Sequence, residues 1–567
     1  MTSIIRAISI SNFKGFTDEV RVPLRPITLL FGANSAGKSS VMQSLQLMRE
    51  VLERGSANID RTVQGGDTID LGGFQNFVHN HDISKPVSVR VEMDLGDELI
   101  PEFFEDAIED RSEVDSSVWK FNETLDSIRD QVKTVAVQLT LSWSEIRSTA
   151  VVSGYRVDIN EKWCTEVVTS PDGRQPRLRI NAGHPIFIAA GIEGADLFEG
   201  VAEWAVPGGN SFLFRTEMGL ETEKIEGQDL EPVPPSVILA ILDVVRGSYA
   251  NSPSRGFADW LQNFQGALPR LDKPILIPAE RPETASNIFV LQEFSAFISW
   301  LLIGPAQLLR EQLRKSRYLG PLRQIPPRDF DVALSKNEAA WSDGMAAWQI
   351  LLEGPDSLVK SCSEWMASVD KLSTGYGIER TVVQEFDMSG PTPRPFGNGR
   401  RRLALTDISG IKHLPQDVGV GISQVLPVVV AAQDGTASFV CVEQPELHIH
   451  PAVQVGLGDL FIDGVINQGL SFLIETHSEH LVMRLQRRIR EQVTGDLPMH
   501  ALSLDLKDLT FVYLGRNSAG NVTATTIGLT PEGKFDSPWP NGFFSERANE
   551  VLTVAMRAKF QDAQRRG

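Results

Sequence analysis

Three short apolar stretches open the chain, Ile4 to Ser11, Val20 to Pro23 and Ile27 to Phe31, and the third is continuous, as a strand buried on both faces requires. It ends in a glycine-rich turn. Beyond the turn, Val41, Leu45, Leu47, Met48, Val51 and Leu52 recur at helical spacing until Gly55 stops them. The stretch from about Val87 to Phe187 carries the β-branched segments VSVRVEMDL, TVAVQLTLSW, STAVVSGYRVDI and RLRINA. They predict an antiparallel sheet, broken by one acidic helical piece near Pro101 to Asp130.

From Pro235 to about Asp370 the period turns helical, in VILAILDVV, FADWLQNF and LQEFSAFISWLLIGPAQLLREQLRKSR. No a/d heptads are sustained there, so a helical insertion without a long coiled arm is expected. Ser389 to Arg402, SGPTPRPFGNGRRR, reads as a Pro/Gly loop. After it VGVGISQVLPVVVAA, SFVCVEQPELHIHP and LSFLIETHSEH alternate helix and buried strand, the pattern of a parallel α/β sheet.

Composition adds limits more than direction. A chain of 567 residues can bury a sizeable core, and two or three domains are expected. No apolar run reaches the length of a membrane span, and the N-terminus lacks a basic start leading into an apolar stretch, which predicts a soluble, cytoplasmic, unprocessed chain with no membrane partner. Cys164, Cys362 and Cys441 are scattered without C-x-x-C spacing, so they read as buried thiols. A formal net charge of -19 repels a polyanion over most of the surface. Binding to DNA would have to be local. Two basic clusters could serve it, Arg394 with Arg400 to Arg402, and Arg484, Arg487, Arg488 and Arg490 along a predicted helix, although a solvated face is the commoner explanation.

The chemistry sits in the loop Phe31 to Ser40, F-G-A-N-S-A-G-K-S-S, which fits G-x-x-x-x-G-K-[ST]. Gly32, Ala33, Asn34, Ser35, Ala36, Gly37, Lys38, Ser39 and Ser40 would cradle phosphates with backbone N–H groups and the positive end of the following helix. Lys38 would neutralise the β and γ phosphates. The Ser39 hydroxyl would ligate Mg2+. A carboxylate must face that loop from the end of another buried strand, and Glu443 after SFVCV meets the requirement.

The order N-F-K-G-F, G-A-N-S-A-G-K-S, D-V-G-V-G-I-S-Q, V-E-Q-P-E-L-H-I-H-P, E-T-H-S resembles that of the SMC-like ABC-type ATPases. Within them it is similar to the OLD-like AAA-family ATPases of bacteria that carry a C-terminal domain of unknown function, which R-Y-L-G-P-L-R at Arg317 to Arg323 and S-P-W-P-N-G-F-F-S-E at Ser537 to Glu546 also resemble. The resemblance implies an ABC-type P-loop ATPase head of the α/β class, with an antiparallel β-lobe and a helical insertion. Its parts would be residues 1–95 and 403–500 as the two halves of the head, 96–234 as the β-rich lobe and an insertion, 235–402 as the helical insertion, and 501–567 as a tail domain. It further implies that Asp417 to Gln424 is the ABC signature, in which Gly419, Gly421, Ser423 and Gln424 meet the nucleotide of an opposite head and Ser423 supplies the hydroxyl. His477 would sense the γ phosphate, and Gln75 would link nucleotide to the neighbouring lobe.

One position departs from the wider pattern. Where many ABC heads place a general-base glutamate after the magnesium-associated acid, this chain has Gln444, and an amide cannot accept the proton of the attacking water. Either Glu446 serves as base or turnover is slow. No TOPRIM nuclease is expected, because Asp505 and Asp508 have the wrong spacing and the tail is short for such a domain. Trp539, Pro540, Phe543 and Phe544 read as a tail packing onto the head. The readings that remain are an ATP-gated dimeric or higher-oligomeric switch, by resemblance in anti-phage defence with a separately encoded effector, a DNA-repair or chromosome-handling ATPase, and a scaffold that binds ATP and scarcely hydrolyses it. A transporter subunit is the least favoured.

Overall fold

The computed structural model describes residues 4–57, 70–101, 129–174, 176–181, 184, 186, 264–275, 296, 299–328, 330, 341–540 and 556. The chain divides into two compact units, Met1–Arg21 with Gln43–Arg314, and Val22–Met42 with Lys315–Gly567. In chain order the elements of the first 320 residues are β1 (Ile4–Ser11), β2 (Val20–Pro23), β3 (Ile27–Gly32), α1 (Lys38–Arg54), α2 (Phe74–Phe77), β4 (Val87–Asp94), β5 (Thr134–Ser144), β6 (Thr149–Ile159), β7 (Lys162–Thr169), β8 (Pro176–Ile180), β9 (Phe264–Gln265), β10 (Leu268–Pro269), α3 (Gly304–Arg314) and β11 (Ser316–Leu319). There follow α4 (Met345–Glu353), α5 (Asp356–Ala367), β12 (Tyr376–Asp387), β13 (Arg394–Asp407), β14 (Lys412–His413), α6 (Val420–Gln433), β15 (Phe439–Glu443), α7 (Pro451–Gln468), β16 (Ser471–Glu475), α8 (Glu479–Thr494), β17 (Leu509–Arg516) and β18 (Val522–Ile527).

The first unit is built on a seven-stranded sheet ordered β2-β1-β4-β5-β6-β7-β8, with antiparallel pairing from β1 through β8. From Val87 to Val91 in β4 buried and half-buried residues alternate, as a sheet with unlike faces requires, before Glu92 and Met93 are both buried. A row of charges gathers round two buried carboxylates. Glu92 accepts from Arg21 at 3.0 and 2.8 Å and also pairs with Arg90, while Asp158 takes Arg90 at 2.8 Å and Arg156 at 2.7 Å.

In the second unit a six-stranded sheet is ordered β11-β15-β16-β3-β17-β18, and every pair but β17–β18 is parallel. β15, β16 and β3 are buried along their whole length, so both faces are covered, and Trp348, Trp365, Val429 and Phe461 join them in one core. Trp539 packs edge-on against Phe31 at 5.0 Å and Phe535 at 5.1 Å, which is the tail-on-head packing the sequence predicts. Phe543 and Phe544 lie outside the described residues. All three cysteines are buried, and burial pushes the Cys362 thiol up to about 12.

Several expectations need correction. β11, assigned with residues 235–402 to a helical insertion, is the edge strand of the parallel sheet, and its four residues directly follow α3 with no break that periodicity could register. The loop expected over Ser389 to Arg402 is mostly strand: β12 and β13 form a long antiparallel hairpin, and only 388–393 connect them. β17 lies inside the expected tail domain of residues 501–567 yet pairs with β3, next to the phosphate loop. β7 was not foreseen either. The helical segment VILAILDVV, all of FADWLQNF but Phe264, which opens β9, and most of the acidic piece near Pro101 to Asp130 lie outside the described residues.

Candidate nucleotide site

β3 runs straight into the Gly32 to Ser39 loop. Gly32 and Gly37 have φ of 146° and 100°, which side chains resist, and a Cβ on Gly32 would strike the carbonyl oxygen of Leu514 on β17. Ala33, Asn34 and Ser35 are exposed, Ala36 is buried, and Gly37 and Ser40 are half-buried. α1 begins at Lys38, so its first-turn N–H groups have no intrahelical acceptor, and that turn holds no acidic side chain to compete for an anion. The Lys38 ammonium is buried and donates to the carbonyls of Gly32 at 3.0 Å and Ala33 at 3.1 Å.

Two carboxylates converge on the loop from the C-terminal ends of adjacent strands. The Ser39 hydroxyl lies 3.1 Å from Oε2 of Glu443, 404 residues away in the chain, and 2.8 Å from Oε2 of Glu475. Lys38 Nζ is 3.7 Å from Oε1 of Glu475. Tyr318 on β11 donates from its hydroxyl to Oε1 of Glu443 at 2.6 Å, and burial together with the Glu443 charge raises its pKa, so the phenol stays protonated. Arg323 is buried behind the site, giving one Nη to the Glu443 carbonyl at 2.6 Å and another to the Gln424 carbonyl at 3.3 Å. Desolvation lowers its pKa to about 10, opposed by the Glu446 and Glu443 charges, and it remains a cation at neutral pH.

Glu446 is held from the β16 side, accepting from the Thr476 hydroxyl at 2.8 Å and from the His477 N–H at 2.6 Å. Burial raises its pKa despite those bonds. Gln444 adopts φ 43° and gives its N–H to the Glu475 carbonyl at 2.8 Å. His477 is exposed, and desolvation followed by the Lys38 charge lowers its pKa, which keeps the imidazole neutral near pH 7.

The signature segment is arranged differently from the expectation. Gly419 caps α6 and is exposed, as is Val420, whereas Ser423 is fully buried and its hydroxyl donates to the Pro415 carbonyl at 3.2 Å. Gln424 is also buried, with Oε1 accepting from the Arg323 N–H at 3.1 Å. Both side chains are turned inward in this structure. Gly421 is needed for closeness, because a Cβ there would lie 2.6 Å from the His448 carbonyl oxygen. Gln75 is exposed on α2, in the other unit. The basic helix cluster is largely neutralised: Arg484 and Arg488 pair with Asp459, and Arg487 and Arg488 with Glu491.

Sequence reasoning missed Tyr318, Arg323 and Glu475. Their signals were the short R-Y-L-G-P-L-R segment and the acid that opens E-T-H-S, both noticed only as points of resemblance.

The donor set suits a triphosphate carrying a hard divalent cation: a hydroxyl and carboxylates in a glycine cradle beside an ammonium. Among the described residues no group of three His, Cys, Asp or Glu could hold a metal alone, so such a cation would complete its shell from phosphate and water.

One family model agrees with this chemistry. Residues 4–154 match the family model for an AAA ATPase domain, a span that includes the phosphate loop. No curated protein matches the chain. Among solved structures, the Smc head domain of Pyrococcus furiosus, with an extended coiled coil and bound to the C-terminal domain of ScpA, aligns at TM-score 0.34 and 12% identity over 98% of this chain and 100% of that one. The SMC head domain from Thermotoga maritima aligns at TM-score 0.32 and 7% identity, covering 94% of this chain and 100% of that one. The parallel sheet with its glycine loop is the α/β fold of a P-loop ATPase, and the match over residues 4–154 supports an ATP-binding ATPase in the general sense. Among the described residues no helix is long and apolar enough to cross a membrane.

Proposed function

We propose that the chain is an SMC-like, ABC-type ATPase that binds MgATP through Gly32 to Ser39, hydrolyses it slowly, and works as a nucleotide-gated switch when two heads pair. The observation that carries this reading is the convergence of Ser39 and Glu443, 404 residues apart, at 3.1 Å on a loop that Lys38 closes from within. Lys38 and the first-turn amides bind the phosphates. A divalent cation held by Ser39 and Glu443 would withdraw charge from the β and γ phosphates.

Hydrolysis needs a water aimed at the γ phosphorus and a base for its proton. In this reading Glu446 takes that proton as the new O–P bond forms and the bridging bond to ADP breaks, while Gln444 orients the water and neutral His477 donates to the γ phosphate. The raised pKa of Glu446 suits a base at neutral pH, but it accepts two hydrogen bonds from Thr476 and His477, just past β16, which blunts its basicity and favours slow turnover.

Pairing of heads is supported by the exposed N-terminus of α6, where Gly419 and Val420 would present backbone N–H groups to a nucleotide held by a second copy. The resemblance to OLD-like ATPases supports a role in bacterial anti-phage defence with a separately encoded effector. The test is mass photometry of a Glu446→Gln variant with and without MgATP. ATP-dependent dimers that disperse on nucleotide removal are expected. A variant that binds ATP and stays monomeric at all concentrations rules out the paired-head switch.

A further inference from the structure

Glu475 has no assigned part in the chemistry above, yet it makes the shorter of the two contacts to the Ser39 hydroxyl. We infer that Glu475 is a second acidic ligand for the divalent cation at the phosphate loop, acting with Glu443 and Ser39. This rests on the MgATP reading of the site.

The strand order produces the pair. β16 lies between β15 and β3, so Glu443 and Glu475 stand opposite each other in register, and Glu475 is beside Leu30 just before the loop. Both carboxylates are about 95% buried, at 6% and 5% exposure. Two buried like charges repel; the Ser39 hydroxyl proton lies between them, with the Lys38 ammonium beside Glu475 and the Tyr318 hydroxyl and Arg323 charge on the Glu443 side. Adding a polyanionic phosphate chain to that loop sharpens the repulsion. A dication relieves it, and Mg2+ bound through one or two carboxylates plus substrate phosphates is the ordinary arrangement.

A purely structural part, as ion-pair partner of Lys38, accounts for less. At 3.7 Å the ammonium is beyond hydrogen-bond reach of Glu475, and its own bonds go to the Gly32 and Ala33 carbonyls. The closest polar partner of the Glu475 carboxylate is the hydroxyl already expected to ligate the metal.

The two parts predict opposite signs in nucleotide binding. Calorimetry on the full chain would measure the affinity of a non-hydrolysable ATP analogue in EDTA and in excess Mg2+, for the natural chain and for Glu475→Gln and Glu475→Asp. A ligand role predicts that Glu475→Gln binds the metal-free analogue as tightly as the natural chain or more tightly, because a repelling charge is gone. The tightening on adding Mg2+ should shrink by at least about tenfold, with Glu475→Asp between the two. An unchanged Mg2+-dependent tightening overturns the inference, including the case in which both affinities fall in proportion through damage to the fold. If the natural chain binds no analogue under either condition, the MgATP reading fails first and this inference with it.

Discussion

The two sheets of this protein handle charge in opposite ways. In the antiparallel sheet, Glu92 and Asp158 lie within their strands and are each wrapped by arginines, so their charge is spent on holding neighbouring strands together. In the parallel sheet, β15 and the Phe472–Ile474 core of β16 are apolar up to a terminal glutamate, and the carboxylates of Glu443 and Glu475 meet a hydroxyl, a phenol and a lysine at the mouth of a glycine loop. Arginine pairing exhausts a carboxylate's lone pairs. Hydroxyl pairing leaves it able to exchange a weak partner for a metal ion, which is why the second arrangement is chemical and the first is structural.

The largest expected effect lies at the parallel sheet. Glu446→Gln should lower the turnover number by about a hundredfold to ten-thousandfold while ATP binding persists, checked by phosphate release and by calorimetry. In the natural chain the acid limb of the rate profile should fall above the ordinary carboxylate range, because burial raises the Glu446 pKa and the base must be ionised to act. A rate that survives the substitution would move the base elsewhere. Tyr318→Phe should cost less, about tenfold in the Mg2+ concentration needed for half-maximal activity, since it removes the hydrogen bond that orients Glu443 and leaves the carboxylate itself.

The antiparallel sheet should respond in stability and not in turnover. Burial alone would raise the Glu92 pKa, but the Arg21 hydrogen bond and the Arg90 and Arg21 charges bring it down to about 2. A depressed folded-state pKa contributes stability that is present above the ordinary value of 4.5 and is lost as pH falls toward 2, so thermal melting should drop across that window. Glu92→Gln should cost about 1–3 kcal/mol at pH 7 and flatten the acid limb, measured by denaturant unfolding. The smallest effect is expected from Ser423→Ala, about 1 kcal/mol of stability from the lost bond to Pro415, with ATP-dependent pairing unchanged.

How much of this was legible in the sequence follows from which forces wrote it. The phosphate loop, β3, β15 and β16 were readable because a parallel strand covered on both faces must be continuously apolar, and the loop must be glycine-rich. β11 and β13 were not. β11 is four residues behind a helix, and β13 carries arginines and glycines because much of the hairpin is exposed, so neither shows a strand's alternation. Ser423 looked available because the resemblance set it against the nucleotide of an opposite head, but one helical turn inside α6 it is fully buried. Glu475 was hidden by the opposite difficulty: register between β15 and β16, which sets it against Glu443, is a property of pairing and leaves no mark on either strand alone.

Calorimetric titration of the intact chain with MgATP, beside Lys38→Ala and Glu443→Gln, tests the convergence of loop and carboxylate most directly. The account predicts saturable binding by the natural chain, loss of nucleotide affinity in Lys38→Ala, and in Glu443→Gln loss of the part of the affinity that depends on Mg2+. Binding that is absent from the natural chain, or unchanged in both variants, would contradict it.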